Sequence, residues 1–168
     1  MKLSALTQGV ACTLVQGSLD TDITDIVYDS RKAAPGVLFV CIVGTQRDSH
    51  DFAADCAAKG AAAVVIQHDI DLSGLAGVTV LRVDNSRRAM ALMSANLFGN
   101  PARRMTMIGV TGTKGKTTTA HMIRSVLEAA GRHVGMIGTN GVYYQGRHED
   151  TANTTPESYE LQKIFRTF

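Results

Sequence analysis

Residues 109–119 read Gly-Val-Thr-Gly-Thr-Lys-Gly-Lys-Thr-Thr-Thr. Glycines admit the dihedrals that turn successive backbone N–H groups inward, the arrangement phosphate oxygens require. Lys116 can reach the outer phosphates of a nucleotide, and the Thr117 hydroxyl can join a magnesium shell. The chemistry on offer is the binding of a nucleoside triphosphate, with a lysine and a metal spreading the charge of a phosphoryl group in transfer. The usual pattern places a glycine five residues before Gly115, where this chain has Val110; glycines stand at 109 and 112 instead, and the Gly-Lys-Thr core is intact. The competing reading is a glycine-rich turn with a solvated lysine.

A phosphate loop needs a strand before it and a helix after it. The apolar run over residues 105–110 predicts the strand, and residues 117–130 predict the helix. Its N-terminus would add unpaired N–H groups and a partial positive charge. Met122, Ile123, Val126, Leu127 and Ala130 recur at helical spacing and predict its buried face. Gly131 ends it, residues 133–139 predict the next strand, and Tyr143-Tyr144 before Gln145-Gly146-Arg147 predicts a short hairpin. Thr155, or the Pro156-Glu157 pair, opens a last helix with Leu161, Ile164, Phe165 and Phe168 on one face.

Upstream, strands and helices alternate. Residues 23–28, 37–43, 62–66 and 78–83 predict strands. Asp51 is placed to cap a helix that runs to Lys59 and ends at Gly60. Asp84, Asn85 or Ser86 is placed to cap a second, which Gly99-Asn100-Pro101 stops. That triplet marks a boundary between a small α/β domain, residues 1–101, and a phosphate-loop domain over 102–168.

Composition is that of an ordinary globular chain: 168 residues, 45% apolar, net charge +2. Arg87-Arg88 and Arg103-Arg104 are isolated pairs on solvated faces, which argues against a nucleic-acid partner. The longest apolar run, residues 37–43, falls far short of the ~18 a membrane span needs. The N-terminus makes no convincing signal peptide. Cys12, Cys41 and Cys56 lack metal-type spacing and read as small core residues in a reducing compartment, with the cytoplasm as the default. His50 and His121 show no clustered partners, and His68, His133 and His148 carry no signal.

Three separated stretches then fit one family. The first is Tyr28-Asp29-Ser30-Arg31, Pro35-Gly36-Val37-Leu38-Phe39-Val40, Gly44 and Asp48-Ser49-His50-Asp51-Phe52. The second is the loop over residues 112–119, and the third is Ile137-Gly138-Thr139 with Asn153-Thr154-Thr155-Pro156-Glu157. Together they closely resemble the Mur ligases over almost the whole chain. The third stretch favours the MurE branch, which adds the third amino acid of the peptidoglycan stem peptide; the first two would also suit the sister MurF branch. The resemblance implies an N-terminal uridine-diphosphate domain followed by the start of a central ATP-binding domain. It implies that Ser30, Thr45, Gln46 and Arg47 contact the uridine diphosphate. It implies that Gly112, Thr113, Lys114, Gly115, Lys116, Thr117 and Thr118 hold ATP, with Thr117 on Mg2+ and Lys116 serving catalysis. Asn153, Thr154 and Thr155 would contact the UDP-N-acetylmuramoyl dipeptide near its reacting end. In the family, ATP phosphorylates the substrate carboxylate and the amine of a diamino acid attacks the acyl phosphate. Two residues depart from the family pattern: Lys114 stands where asparagine is usual, and Ser49 where glycine is usual.

Plainer readings stand beside these. Ser30 would simply cap a turn, and Thr154 and Thr155 would simply start a helix. Other classes compatible with the loop are a small kinase, though about a hundred residues precede it here, and a non-catalytic UDP-sugar-binding module. The expected chain is an incomplete ligase that binds without turnover. No apolar strand after Lys116 ends in an acid that could hold magnesium, and the apolar stripe on the last helix is expected to lie exposed, inviting fraying or association.

Overall fold

The structure, a computed structural model, describes residues 1–45, 47–150 and 155–168. It divides into two compact units, Met1–Asn100 and Pro101–Phe168.

The first unit is a five-stranded sheet in the order β1-β5-β4-β3-β2. Strands β2 (Ile26–Val27), β3 (Leu38–Val40), β4 (Ala63–Ile66) and β5 (Thr79–Arg82) run parallel. The edge strand β1 (Thr13–Gln16) pairs antiparallel with β5. A parallel strand is covered on both faces, so it reads as a continuous apolar run rather than an alternating one. Phe39, Cys41, Val64, Ile66 and Val80 form one buried cluster with Ala53 and Cys56 of helix α2 (Ala53–Ala58). The alternate residues Leu38, Val40, Val65 and Leu81 are fully buried as well, and α1 (Leu3–Leu6) and α3 (Ser86–Leu97) contribute Leu3, Leu6, Met90 and Met93. The Asn96 amide donates to the carbonyls of Leu6 (2.9 Å) and Gln8 (2.8 Å), tying these two helices together.

Each strand is shorter than its apolar run, because pairing ends where the backbone turns toward a loop. Two elements escaped the sequence reading, α1 and β1. Helix α2 is entered through a 3-10 turn, Ser49–Phe52, whose N-cap is Asp48 rather than Asp51. The Asn85 side chain accepts from the Arg88 N–H at 2.9 Å and caps α3.

The second unit holds helix α4 (Lys116–Ala129), the antiparallel sheet β6 (Gly135–Gly138), β7 (Gly141–Tyr144), β8 (Arg147–Glu149), and helix α5 (Ser158–Thr167). Residues 105–110 are not a strand, contrary to expectation. They have no ladder partner among the described residues, and Met107 and Ile108, neighbours that would face opposite sides of a sheet, are each 55% exposed. The expected buried face of α4 is uncovered for the same reason. Met122 and Val126 are 63% and 68% exposed, Ala130 is exposed, and only Ile123 and Leu127 are half-buried. By contrast the α5 stripe, expected exposed, is half-buried throughout. Phe168 lies against Tyr144, ring centroids 5.0 Å apart, and its carbonyl accepts from the Tyr144 hydroxyl at 3.0 Å.

Candidate functional site

In the second unit the loop enters α4 through two glycines with positive φ, Gly112 (150°) and Gly115 (79°). Gly115 is the N-cap and carries no capping side chain. The first-turn N–H groups of a helix have no intrahelical acceptor, so those of Lys116, Thr117 and Thr118 are presented at the loop. Residues 111–119 are all exposed. A Cβ at Gly109 or Gly115 would meet nothing within 4 Å. The Lys116 ammonium folds back and donates to the Gly112 carbonyl at 2.7 Å, which places its charge across the loop mouth. These groups suit an anionic phosphate chain: N–H donors, a helix N-terminus and a lysine converge with no carboxylate among residues 109–119.

In the first unit two candidate segments share the C-terminal edge of the parallel sheet, the edge where open α/β sheets bind ligands. Ser30 follows β2 and opens a 3-10 turn, Ser30–Lys32. Asp29 caps that turn: its carboxylate accepts from the Arg31 N–H at 3.0 Å, and from Arg31 Nε (2.9 Å) and Nη2 (2.7 Å). The Arg31 side-chain hydrogen bonds, joined by its backbone N–H, hold the Asp29 carboxyl at about 2. The Ser30 carbonyl accepts from Lys59 Nζ at 3.0 Å.

Thr45 and Arg47 follow β3 in an exposed loop. The stem is narrow: the Gly44 N–H donates to the Arg47 carbonyl at 3.0 Å, and Val43 bridges Asp48. The Ser49 hydroxyl accepts from the Ile42 N–H and donates to the Ile42 carbonyl (3.0 Å). A glycine could make neither side-chain bond, so Ser49 staples the loop stem.

His50 does have clustered partners, against the sequence reading. It is 4% exposed, and its ring stacks on His68 with centroids 3.9 Å apart. His50 Nδ1 bonds Asp48 Oδ1, and His68 Nε2 lies 2.8 Å from Asp48 Oδ2. Burial pushes the Asp48 carboxyl up, but the His50 N–H and the two imidazoles outweigh it and hold the group at about 2. The Asp48 hydrogen bond raises the His68 pKa in turn. His121 also has a ring partner, Tyr143, edge-on at 5.3 Å, and Tyr143 stacks on His148 at 4.4 Å.

Cys41 and Cys56 are buried free thiols, raised by burial, Cys56 to about 11; Cys12 is half-buried. Gln46, Asn153 and Thr154 lie outside the described residues. Thr155 is exposed, two residues before Glu157, the N-cap of α5. Among the described residues, no helix is long and apolar enough to cross a membrane.

Comparison with known proteins covers both units. The family described as "Mur ligase family, catalytic domain" matches residues 22–97, and "Mur ligase middle domain" matches residues 110–168. The UDP-N-acetylmuramoyl-L-alanyl-D-glutamate–2,6-diaminopimelate ligase of Clostridium perfringens is 40% identical over 166 residues, 99% of this chain and 34% of that protein. A solved structure of a ligase with the same descriptive name superposes with a TM-score of 0.76 at 20% identity, over 99% of this chain and 33% of its own. A MurF ligase from Thermotoga maritima in complex with ADP gives 0.53 at 24% identity, over 87% of this chain and 29% of its own. These two likenesses bear on the fold. The chain spans about a third of the length of the curated relatives it matches.

Proposed function

We propose that this chain, which belongs to the Mur ligase family, carries the uridine-diphosphate domain and the first part of the ATP-binding domain of a cytoplasmic ligase that adds the third amino acid to UDP-N-acetylmuramoyl-L-alanyl-D-glutamate. Mur ligases are ATP-dependent. The names of the curated relatives make 2,6-diaminopimelate the added amino acid of this reading.

The observation that carries it is the open loop on the uncapped N-terminus of α4, with Lys116 folded across its mouth. ATP supplies the phosphoryl group that activates the substrate carboxylate for attack by the amine. Around its phosphates, the N–H groups of residues 113–118 donate to oxygens. The Lys116 ammonium exchanges the Gly112 carbonyl for a phosphate oxygen, and the Thr117 hydroxyl is the ligand this chain offers to Mg2+. In the first unit Ser30, Thr45 and Arg47, with Gln46, donate to the uridine and diphosphate oxygens, and Asn153, Thr154 and Thr155 are assigned to the reacting end of the dipeptide.

Calorimetric titration of the 168-residue chain with ADP and with UDP-N-acetylmuramoyl dipeptide tests the reading. Binding of both is expected, without phosphate release when ATP, Mg2+, dipeptide and diaminopimelate are supplied together. Binding of ADP alone would overturn the uridine-diphosphate site, and binding of neither would overturn the assignment of both sites.

A further inference from the structure

The group the proposed chemistry leaves unused is the Asp48–His50–His68 cluster beside the Thr45–Arg47 loop. Its ligand atoms lie within 4.8 Å of one another, a spacing a metal ion could use. The hydrogen bonds argue otherwise. The Gln67 N–H donates to His50 Nε2 at 2.9 Å, so that nitrogen carries a lone pair. The proton of the ring therefore sits on Nδ1, where it is donated to Asp48 Oδ1. A metal at Nδ1 would need a ring stripped of both protons. Ligating histidines instead donate their second nitrogen's proton to a carbonyl or carboxylate, and here that nitrogen faces a donor.

What the tautomer does is mechanical. Asp48 Oδ1 also accepts from the His50 N–H at 3.0 Å, and Asp48 pairs with Val43 at the loop stem. His50 thus joins the loop stem to Gln67, the first residue after β4. The Gln67 side chain in turn accepts from the Ser86 N–H at 2.9 Å, reaching the first turn of α3. Ends of two strands and one helix are thus linked through the buried His50 ring and the Gln67 residue it bonds.

We propose that Asp48 and His50 form a positioning latch that holds the stem of the Thr45–Arg47 loop against the ends of β4 and α3, preorganising it for a uridine diphosphate. The inference rests on the uridine-diphosphate reading given above. Neither latch residue needs to touch the ligand; fixing a loop in its bound form raises affinity by reducing the ordering cost of binding.

The test is UDP binding by the whole chain, followed by amide shifts well below each variant's unfolding temperature, so that only folded protein is read. Asp48→Ala is expected to weaken UDP by about tenfold and to speed amide exchange at positions 43–47. Asp48→Asn, which keeps an oxygen for both His50 donors, is expected to stay within about twofold of wild type. Nitrogen shifts of the His50 ring are expected to report protonated Nδ1, unchanged by zinc. Wild type that binds no UDP overturns the site and the latch together. UDP binding that Ser30→Ala weakens but Asp48→Ala leaves intact overturns the latch alone. A zinc-dependent shift of the His50 ring, with a rise in unfolding temperature, overturns it in favour of a metal site.

Discussion

Replacing Lys116 and Lys114 in turn separates a phosphate-directed lysine from a merely nearby one. Lys116 is the first residue of α4, and its ammonium lies 2.7 Å from the Gly112 carbonyl. Lys114 sits on the exposed turn, and among the described residues its ammonium makes no hydrogen bond. A hydrogen bond to a charged group contributes about 1.5–3 kcal/mol. To reach a phosphate, Lys116 must first release the Gly112 carbonyl, an exposed contact that offsets about 0.5–1 kcal/mol of that gain. The net loss in Lys116→Ala is therefore about 1–2 kcal/mol, or roughly 5- to 30-fold in ADP affinity. Lys114→Ala removes only a screened charge, and less than about threefold is expected. Calorimetric titration with ADP at fixed ionic strength reads both, and the Lys116 effect should persist in higher salt while the Lys114 effect fades. Equal losses, or a larger loss from Lys114→Ala, would refute the assignment of Lys116.

Three further outcomes follow from the geometry. The folded Asp48 carboxyl titrates at about 2, against about 3.9 in an unfolded chain. Its network therefore stabilises fully above about pH 4 and is lost as pH falls through 2; urea midpoints between pH 5 and 2.5 should fall less steeply in Asp48→Asn than in wild type. A Cβ at Gly44 would stand 2.6 Å from the Arg47 carbonyl oxygen, so Gly44→Ala is expected to break the stem hydrogen bond, to cost about 1–3 kcal/mol in denaturant unfolding, and to weaken UDP binding. On α4, Met122→Glu with Val126→Lys replaces two largely exposed apolar residues by an i,i+4 ion pair. The unfolding temperature should hold within about 2 °C while sedimentation velocity shows less self-association, and a larger drop would mean that this face is covered.

The parallel strands were legible because burial on both faces writes itself as apolar runs, as in Leu38–Val40 and Ala63–Ile66. Their edges were legible too, through turn chemistry: Asn85 caps α3, and Gly60 and Gly99 take positive φ where their helices stop. The short α1 and the exposed edge strand β1 were not, since elements of four residues carry almost no periodic signal. Asp48 and Asp51 are equivalent as sequence signals for a cap, and only the 3-10 turn between them decides in favour of Asp48.

The candidate site divides along the same line. The proposed phosphate loop is contiguous, so its glycines, lysine and threonines stand together in the sequence. The His50 network is not contiguous: His68 lies eighteen positions away, and the two rings meet only because β3 and β4 are parallel neighbours that end at one edge. Residues just past the ends of adjacent parallel strands are the ones a topology would have brought together before any side chain was placed. The run over residues 105–110 shows the opposite case. Its apolar residues are strand-like, but a strand is defined by its partners, and none pairs with it among the described residues. Met107, Ile108, Met122 and Val126 are exposed together on the two flanks of the phosphate loop. The loop itself keeps its shape without that cover because Gly112, Gly115 and the Lys116–Gly112 bond fix it locally. The loop proposed for the nucleotide thus rests on short-range backbone chemistry, and the edge proposed for uridine diphosphate rests on sheet topology.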